Sequence, residues 1–227
     1  MKIRKRLFYL FFLSLPLNLY GQDWPNFNRY RQDNYRVGMP AENENRIVFM
    51  GNSITEGWSV TYPEFFNGKP YINRGISGQT TPQMLVRFRA DVIDLKPKAV
   101  VILAGTNDIA GNTGPSTVKM IADNIFSMAE LAKEHNISVI ISSVLPVYKY
   151  SWIEEDLDPV PIISRLNAII KNYALKNGHI YLDYYSEMVD ERMGLMEEYT
   201  SDGVHANKAG YKVMSALAEK AIMKALK

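Results

Sequence analysis

The fold class this sequence predicts is α/β: a three-layer α/β/α sandwich around a five-stranded parallel sheet, flavodoxin-like in topology. Three observations predict it. Short apolar runs recur along the chain, bounded by glycine, proline or polar residues, as strands buried on both faces read. Amphipathic segments of about ten to twenty residues lie between them, which is the pattern of βαβ units. The chain has 227 residues, 47% hydrophobic and 22% charged, which suits one globular domain with a sizeable core. Right-handed crossovers then leave few topologies open.

The elements follow in chain order. Residues 1–21 stand apart: Lys2, Arg4, Lys5 and Arg6 precede an almost wholly apolar run from Leu7 to Leu19, and Gly21 and polar Gln22 follow. That is the layout of a secretory signal peptide, expected to be cleaved near Gly21. The run is interrupted by Pro16 and falls short of the roughly 20 residues a membrane span needs. Export to the periplasm or the outside is therefore expected, with no stable membrane insertion after cleavage; an uncleaved anchor is the alternative. The sequence contains no cysteine, which excludes a lipidated N-terminal cysteine and a disulfide framework. Without the first 21 residues the chain carries 22 Lys+Arg against 24 Asp+Glu, so its slight basicity belongs to the leader and nothing suggests nucleic acid.

Residues 22–46 are polar with interspersed Trp24, Phe27, Tyr30 and Tyr35, a spacing that predicts a short helix or wrap packed onto the domain, with a structural role only. The first strand is Ile47 to Met50, followed by Gly51-Asn52-Ser53 and a helix. A second strand, Tyr71 to Gly75, leads into Ile76-Ser77-Gly78-Gln79-Thr80-Thr81 and a helix over 82–95. Ala99 to Ala104 is the third strand and ends in Gly105-Thr106-Asn107-Asp108; a helix over 116–134 follows. The fourth strand spans 137–145 and Pro146 stops it. Residues 147–161 read as an irregular loop, 162–174 as a helix, 179–183 as the fifth strand, and 208–226 as the last helix, preceded by Asp202-Gly203-Val204-His205.

In a parallel sheet all strand carboxyl ends share one edge, where such folds place ligands. Ser53, Ser77-Gly78 and Thr106-Asn107 each directly follow a strand, so their turns meet on one rim. A nucleophilic serine needs a base within hydrogen-bond reach, and the base needs a group that holds its tautomer. Among the three histidines, His135 precedes the fourth strand and His179 opens the fifth, which puts both at the amino edge. His205 alone returns to the carboxyl rim, with Asp202 three residues before it. The plain reading of each piece is structural: Ser53 as a helix cap, Asp202 as the cap of the last helix. Donors for a developing oxyanion are at hand in the backbone N–H groups of Ser53 and Gly78 and the side-chain amide of Asn107.

These stretches resemble the signature blocks of the SGNH hydrolases, also called GDSL-type esterases and lipases. Gly51-Asn52-Ser53-Ile54 is similar to the nucleophile block, Gly78 to the oxyanion glycine, Gly105-Thr106-Asn107-Asp108 to the GxND block, and Asp202-Gly203-Val204-His205 to the DxxH block. The blocks occur in the family's order. Asn52 departs from it, standing where the family usually has aspartate. The resemblance implies a three-layer α/β/α fold, a Ser53-His205-Asp202 triad, an oxyanion hole of Ser53, Gly78 and Asn107, and no metal or organic cofactor. The nucleophile elbow G-x-S-x-G of α/β-hydrolases is absent, since residue 55 is threonine.

For substrate, export and a loop carrying Tyr148, Tyr150 and Trp152, with Glu154, Glu155 and Asp156 beyond, lean toward a short acyl group, acetyl above all, on a glycan or another small-molecule ester. The same aromatics serve equally to pack the loop down. A lysophospholipase or thioesterase of the same family, and a non-catalytic carbohydrate-binding module, remain alternatives. No oligomeric state is read from the sequence.

Overall fold

The computed structural model describes residues 22–153 and 157–227; the expected signal peptide and Glu154, Glu155 and Asp156 lie outside these. The chain runs α1 (Arg31–Val37), β1 (Ile47–Gly51), α2 (Ser53–Thr61), β2 (Tyr71–Gly75), α3 (Thr81–Asp91), β3 (Ala99–Leu103), α4 (Thr106–Ile109), α5 (Val118–Glu134), β4 (Ser138–Ser142), α6 (Pro159–Lys176), β5 (Ile180–Leu182), α7 (Tyr185–Met188) and α8 (Lys208–Ala225). The five strands pair in the order β2-β1-β3-β4-β5, all parallel, which is the flavodoxin-like order.

Every residue of β1 and β3 is buried, because both faces of the sheet are covered. Side chains alternate between the two layers as the strand period of two requires. Val48, Met50, Val100, Ile102, Val139 and Ile141 pack with Met84 and Phe88 of α3, Ile125 and Met128 of α5, and Leu166 and Ile170 of α6. Ile47, Phe49, Val101, Ile140 and Leu182 pack with Ile54 and Trp58 of α2 and Tyr211, Met214 and Ala218 of α8.

The second layer joins two helices that matter for the site. Trp58 stacks on Tyr211 at 5.5 Å between ring centroids. The Tyr211 hydroxyl donates to Ile54 O at 2.8 Å, and Trp58 Nε1 to Ser215 Oγ at 3.3 Å. These contacts fix α8, which begins just after His205, against α2, which begins at Ser53.

Element ends differ from the sequence expectation where a cap decides them. Thr117 caps α5 through its side chain, so that helix starts at Val118 rather than 116. Asp158 caps α6, and Pro159 at its first position needs no N–H partner, so α6 begins before 162, inside the stretch expected as loop. β4 ends at Ser142 rather than 145 because Asn167 of α6 takes both Val144 N–H (2.8 Å) and Val144 O (3.0 Å) out of the sheet. Among the described residues no helix is long and apolar enough to cross a membrane.

Candidate active site

Ser53 is the first residue of α2. Asn52 caps that helix: its Oδ1 accepts Ile54 N–H at 3.0 Å while Asn52 itself is 1% exposed. A glycine at 75 lets β2 come close, since a Cβ there would sit 2.1 Å from Glu56 N and 2.7 Å from Asn52 O. The serine is thereby held at the carboxyl ends of β1 and β2, where Gly51 and Gly75 lie in register.

His205 arrives on the same rim from the far end of the chain. Ser53 Oγ lies 2.9 Å from His205 Nε2, and His205 Nδ1 lies 2.7 Å from Asp202 Oδ2. Asp202 Oδ1 also accepts the backbone N–H groups of His205 (2.8 Å) and Val204 (2.9 Å), which folds the Asp-to-His turn around the carboxylate. Thr200 Oγ1 donates to His205 O at 2.7 Å and accepts Gly203 N–H at 3.0 Å, bracing the turn from behind. Asn207, not Asp202, caps α8, by accepting Ala209 and Gly210 N–H groups. Partial burial works to raise the Asp202 carboxyl, but the backbone and ring donors of His205 and the Val204 N–H outweigh it and hold it at about 2.

The candidate oxyanion donors gather on this rim. Gly78 adopts φ +76°, a left-handed conformation that favours glycine, and the space where a Cβ would stand is open. Among the described residues the N–H groups of Ser53 and Gly78 donate to no protein acceptor. Asn107, 5% exposed at the start of α4, donates one Nδ2 hydrogen to Gln79 O at 3.0 Å and keeps the other. His135 and His179 belong elsewhere: His135 ends α5 and faces Leu131 O and Arg89, and His179 directly precedes β5 at the amino edge.

Over residues 49–213 the sequence matches the GDSL-like Lipase/Acylhydrolase family. The chain belongs to that family. It is similar to a solved GDSL-like lipase from Bacteroides thetaiotaomicron, at 49% identity and TM-score 0.87, covering 89% of this chain and 100% of that one. A solved Bacteroides fragilis chain, also 49% identical, superposes with TM-score 0.89 over 91% of this chain and 100% of that one. Among curated proteins it resembles the acetylxylan esterase of Xylanibacter ruminicola (24% identity, 82% of this chain, 45% of that protein). It also resembles the human isoamyl acetate-hydrolyzing esterase 1 homolog (27% identity, 73% of this chain, 76% of that protein). The chain spans about half the length of the acetylxylan esterase and of a Bacillus subtilis lipoprotein that it also matches.

Within this GDSL-family frame, one sequence expectation needs correction. Tyr150, expected beside Tyr148 and Trp152 as a substrate contact, is 2% exposed and its hydroxyl lies 2.8 Å from Thr106 Oγ1. Burial pushes that phenol up to about 12. Tyr150 therefore supports the turn before Asn107 from inside, while Tyr148 and Trp152 stay largely exposed. Two residues that the sequence did not single out also reach the site's loops. Asn112 Nδ2 donates to Gly78 O at 3.1 Å, and Thr113 Oγ1 lies 2.9 Å from Thr80 Oγ1. Their only signal was position, a few residues beyond the GxND-like block.

Proposed function

We propose that this chain is an exported serine esterase that hydrolyses short-chain acyl esters, acetyl esters of carbohydrate foremost. The observation that carries the reading is the Ser53 Oγ–His205 Nε2–Nδ1–Asp202 chain, at 2.9 and 2.7 Å, on the carboxyl rim of the sheet. His205 Nε2 takes the Ser53 proton as Oγ attacks the ester carbonyl. The oxyanion accepts from Ser53 N–H, Gly78 N–H and the free Asn107 amide hydrogen. Its collapse breaks the C–O bond to the leaving alcohol, whose oxygen takes the proton from Nε2, and an acyl-Ser53 remains. Water then attacks the acyl carbon, losing a proton to Nε2; the second oxyanion collapses, the C–Oγ bond breaks, Ser53 Oγ takes that proton from Nε2, and the acid leaves. Asp202, held ionised, keeps the Nδ1 proton in place and stabilises the imidazolium.

The acetyl-ester preference draws support from the names of the two esterases above and from the openness of the dyad, whose imidazole and carboxylate side chains are 39% and 42% exposed. A dyad at the surface suits a short acyl group carried on a bulky polar scaffold. The test is hydrolysis of p-nitrophenyl acetate, butyrate and octanoate beside Ser53→Ala. Acetate-selective turnover lost in the mutant is expected, and acetylated glycans come next. Octanoate preference would move the reading to lipids, and equal inertness of both proteins would remove it.

A further inference from the structure

The turn that carries Gly78 is gripped on both sides, and both grips lead to the N-terminal segment before α1. On one side, Glu56 of α2 accepts Ser77 N–H (2.8 Å) and the Ser77 hydroxyl with Oε2, while Oε1 accepts Arg29 Nη2 at 2.9 Å. On the other, the Gln79 side chain is 3% exposed and stretched between two partners. Its Oε1 accepts Arg87 Nε at 2.6 Å, and its Nε2 donates to Pro25 O at 2.8 Å. Two further bonds flank these: the Tyr30 hydroxyl donates to Gly75 O, and Gln83 Nε2 to Trp24 O at 2.8 Å. Arg87, fully buried, also donates to Gly51 O (3.1 Å) and Arg74 O (2.9 Å) and pairs with Asp91. The end of β1 and the Gly78 turn thus share one rigid anchor.

Gln79 reaches the site directly, because its carbonyl oxygen holds the Asn107 amide. A shift of this one residue would move two of the three candidate oxyanion donors, Gly78 N–H and Asn107 Nδ2. We infer that Gln79 is a positioning residue of the oxyanion hole and that residues 24–30 set its geometry through Pro25 and Arg29. The inference rests on the esterase reading above. It gives the N-terminal wrap a part in catalysis beyond the packing role its composition suggests. Oxyanion stabilisation depends on donors fixed before charge develops, so loosening them weakens transition-state binding and leaves substrate binding alone.

The test uses the full chain and four variants: Gln79→Met, Arg29→Ala, Arg31→Ala as a control just past that segment at the start of α1, and Ser53→Ala. Readouts are kcat and KM on p-nitrophenyl acetate, Tm, and inhibition by a boronic acid, whose tetrahedral serine adduct mimics the oxyanion. Acylation and deacylation both pass through an oxyanion, so Gln79→Met should lower kcat about tenfold with KM within about twofold. Boronate affinity should fall by the same factor as kcat. Arg29→Ala, at an exposed side chain, should lower kcat about threefold in the same pattern, and Arg31→Ala should match wild type. A lowered Tm with kcat and boronate affinity unchanged would overturn the inference and leave the wrap purely structural. Should Gln79→Met fail to fold, Arg29→Ala decides alone. Wild type active, Ser53→Ala dead and the other variants normal would sink this inference only. Wild type as inert as Ser53→Ala would sink the esterase reading, and this inference with it.

Discussion

Asp202 holds His205 at two points at once, its Oδ1 on the backbone N–H at 2.8 Å and its Oδ2 on ring Nδ1 at 2.7 Å. The first contact shapes the turn, and in the proposed triad the second sets the tautomer. Asp202→Asn separates them: the amide oxygen still accepts the backbone N–H, but the amide nitrogen donates to Nδ1 and drives the proton to Nε2. An Nε2–H imidazole cannot accept from Ser53. We expect kcat to fall on the order of 10³–10⁴-fold while Tm moves by only a few degrees. A loss under about tenfold would show that the carboxylate does not set the tautomer.

Acid should switch the enzyme off through one proton. Asp202 is held at about 2, so it stays ionised through the whole working range and contributes nothing to the acid limb. Two groups near the site are left: His205, which in the proposed mechanism must be neutral to take the Ser53 proton, and Asp108 next to Asn107, whose carboxyl burial pushes up to about 6. In Asp108→Asn, where the second group is gone, the log of kcat/KM should fall with unit slope on acidification. Full activity of that variant at about pH 4 would assign the base elsewhere.

Asn52 occupies the place of the family's usual aspartate, and its observed job is to cap α2. Asparagine and aspartate cap about equally well, so Asn52→Asp should keep kcat within about threefold. Asn52→Ala loses the cap, at about 0.5–2 kcal/mol, and should lower Tm by about 2–6 °C with a larger fall in kcat, because the first residue of the released helix is Ser53. If Asn52→Ala leaves both Tm and kcat untouched, the cap does not position the serine.

Much of this arrangement was legible in the residues. The apolar runs 47–50 and 99–104 offer no polar face, which marks buried central strands, and the sheet buries 47–51 and 99–103 throughout. Parallel pairing then brings the turns that hold Ser53, Gly78 and Asn107 to one edge. Periodicity stops short of long-range hydrogen bonds, though. Nothing in the spacing links Pro25 to Gln79, 54 residues on, and residues 22–46 read as packing alone. Tyr150 was misplaced for a related reason: in an irregular loop no period says which side a ring faces, and Thr106 drew it inward. Helix starts shifted wherever a cap such as Thr117 or Asp158 outranked apolar spacing.

Asp108 should make stability depend on pH in an unusual direction. It is 2% exposed, and burial pushes its carboxyl up to about 6 from 3.8, against the opposing bonds from Thr81 N–H (2.9 and 3.0 Å) and the Thr81 hydroxyl. Between these values the folded protein binds a proton that the unfolded chain releases. Stability from this group is therefore full below about 3.8, falls as pH rises to about 6, and is flat above. Asp108→Asn removes the buried charge and keeps an oxygen for Thr81. Its Tm should exceed that of wild type at pH 7–8, and the gap should close as pH drops toward about 4. The readout is the Tm difference between the two proteins across that range, in which other titrating groups cancel. A difference that holds constant, or widens on acidification, would mean that Asp108 is not carrying a buried charge at neutral pH.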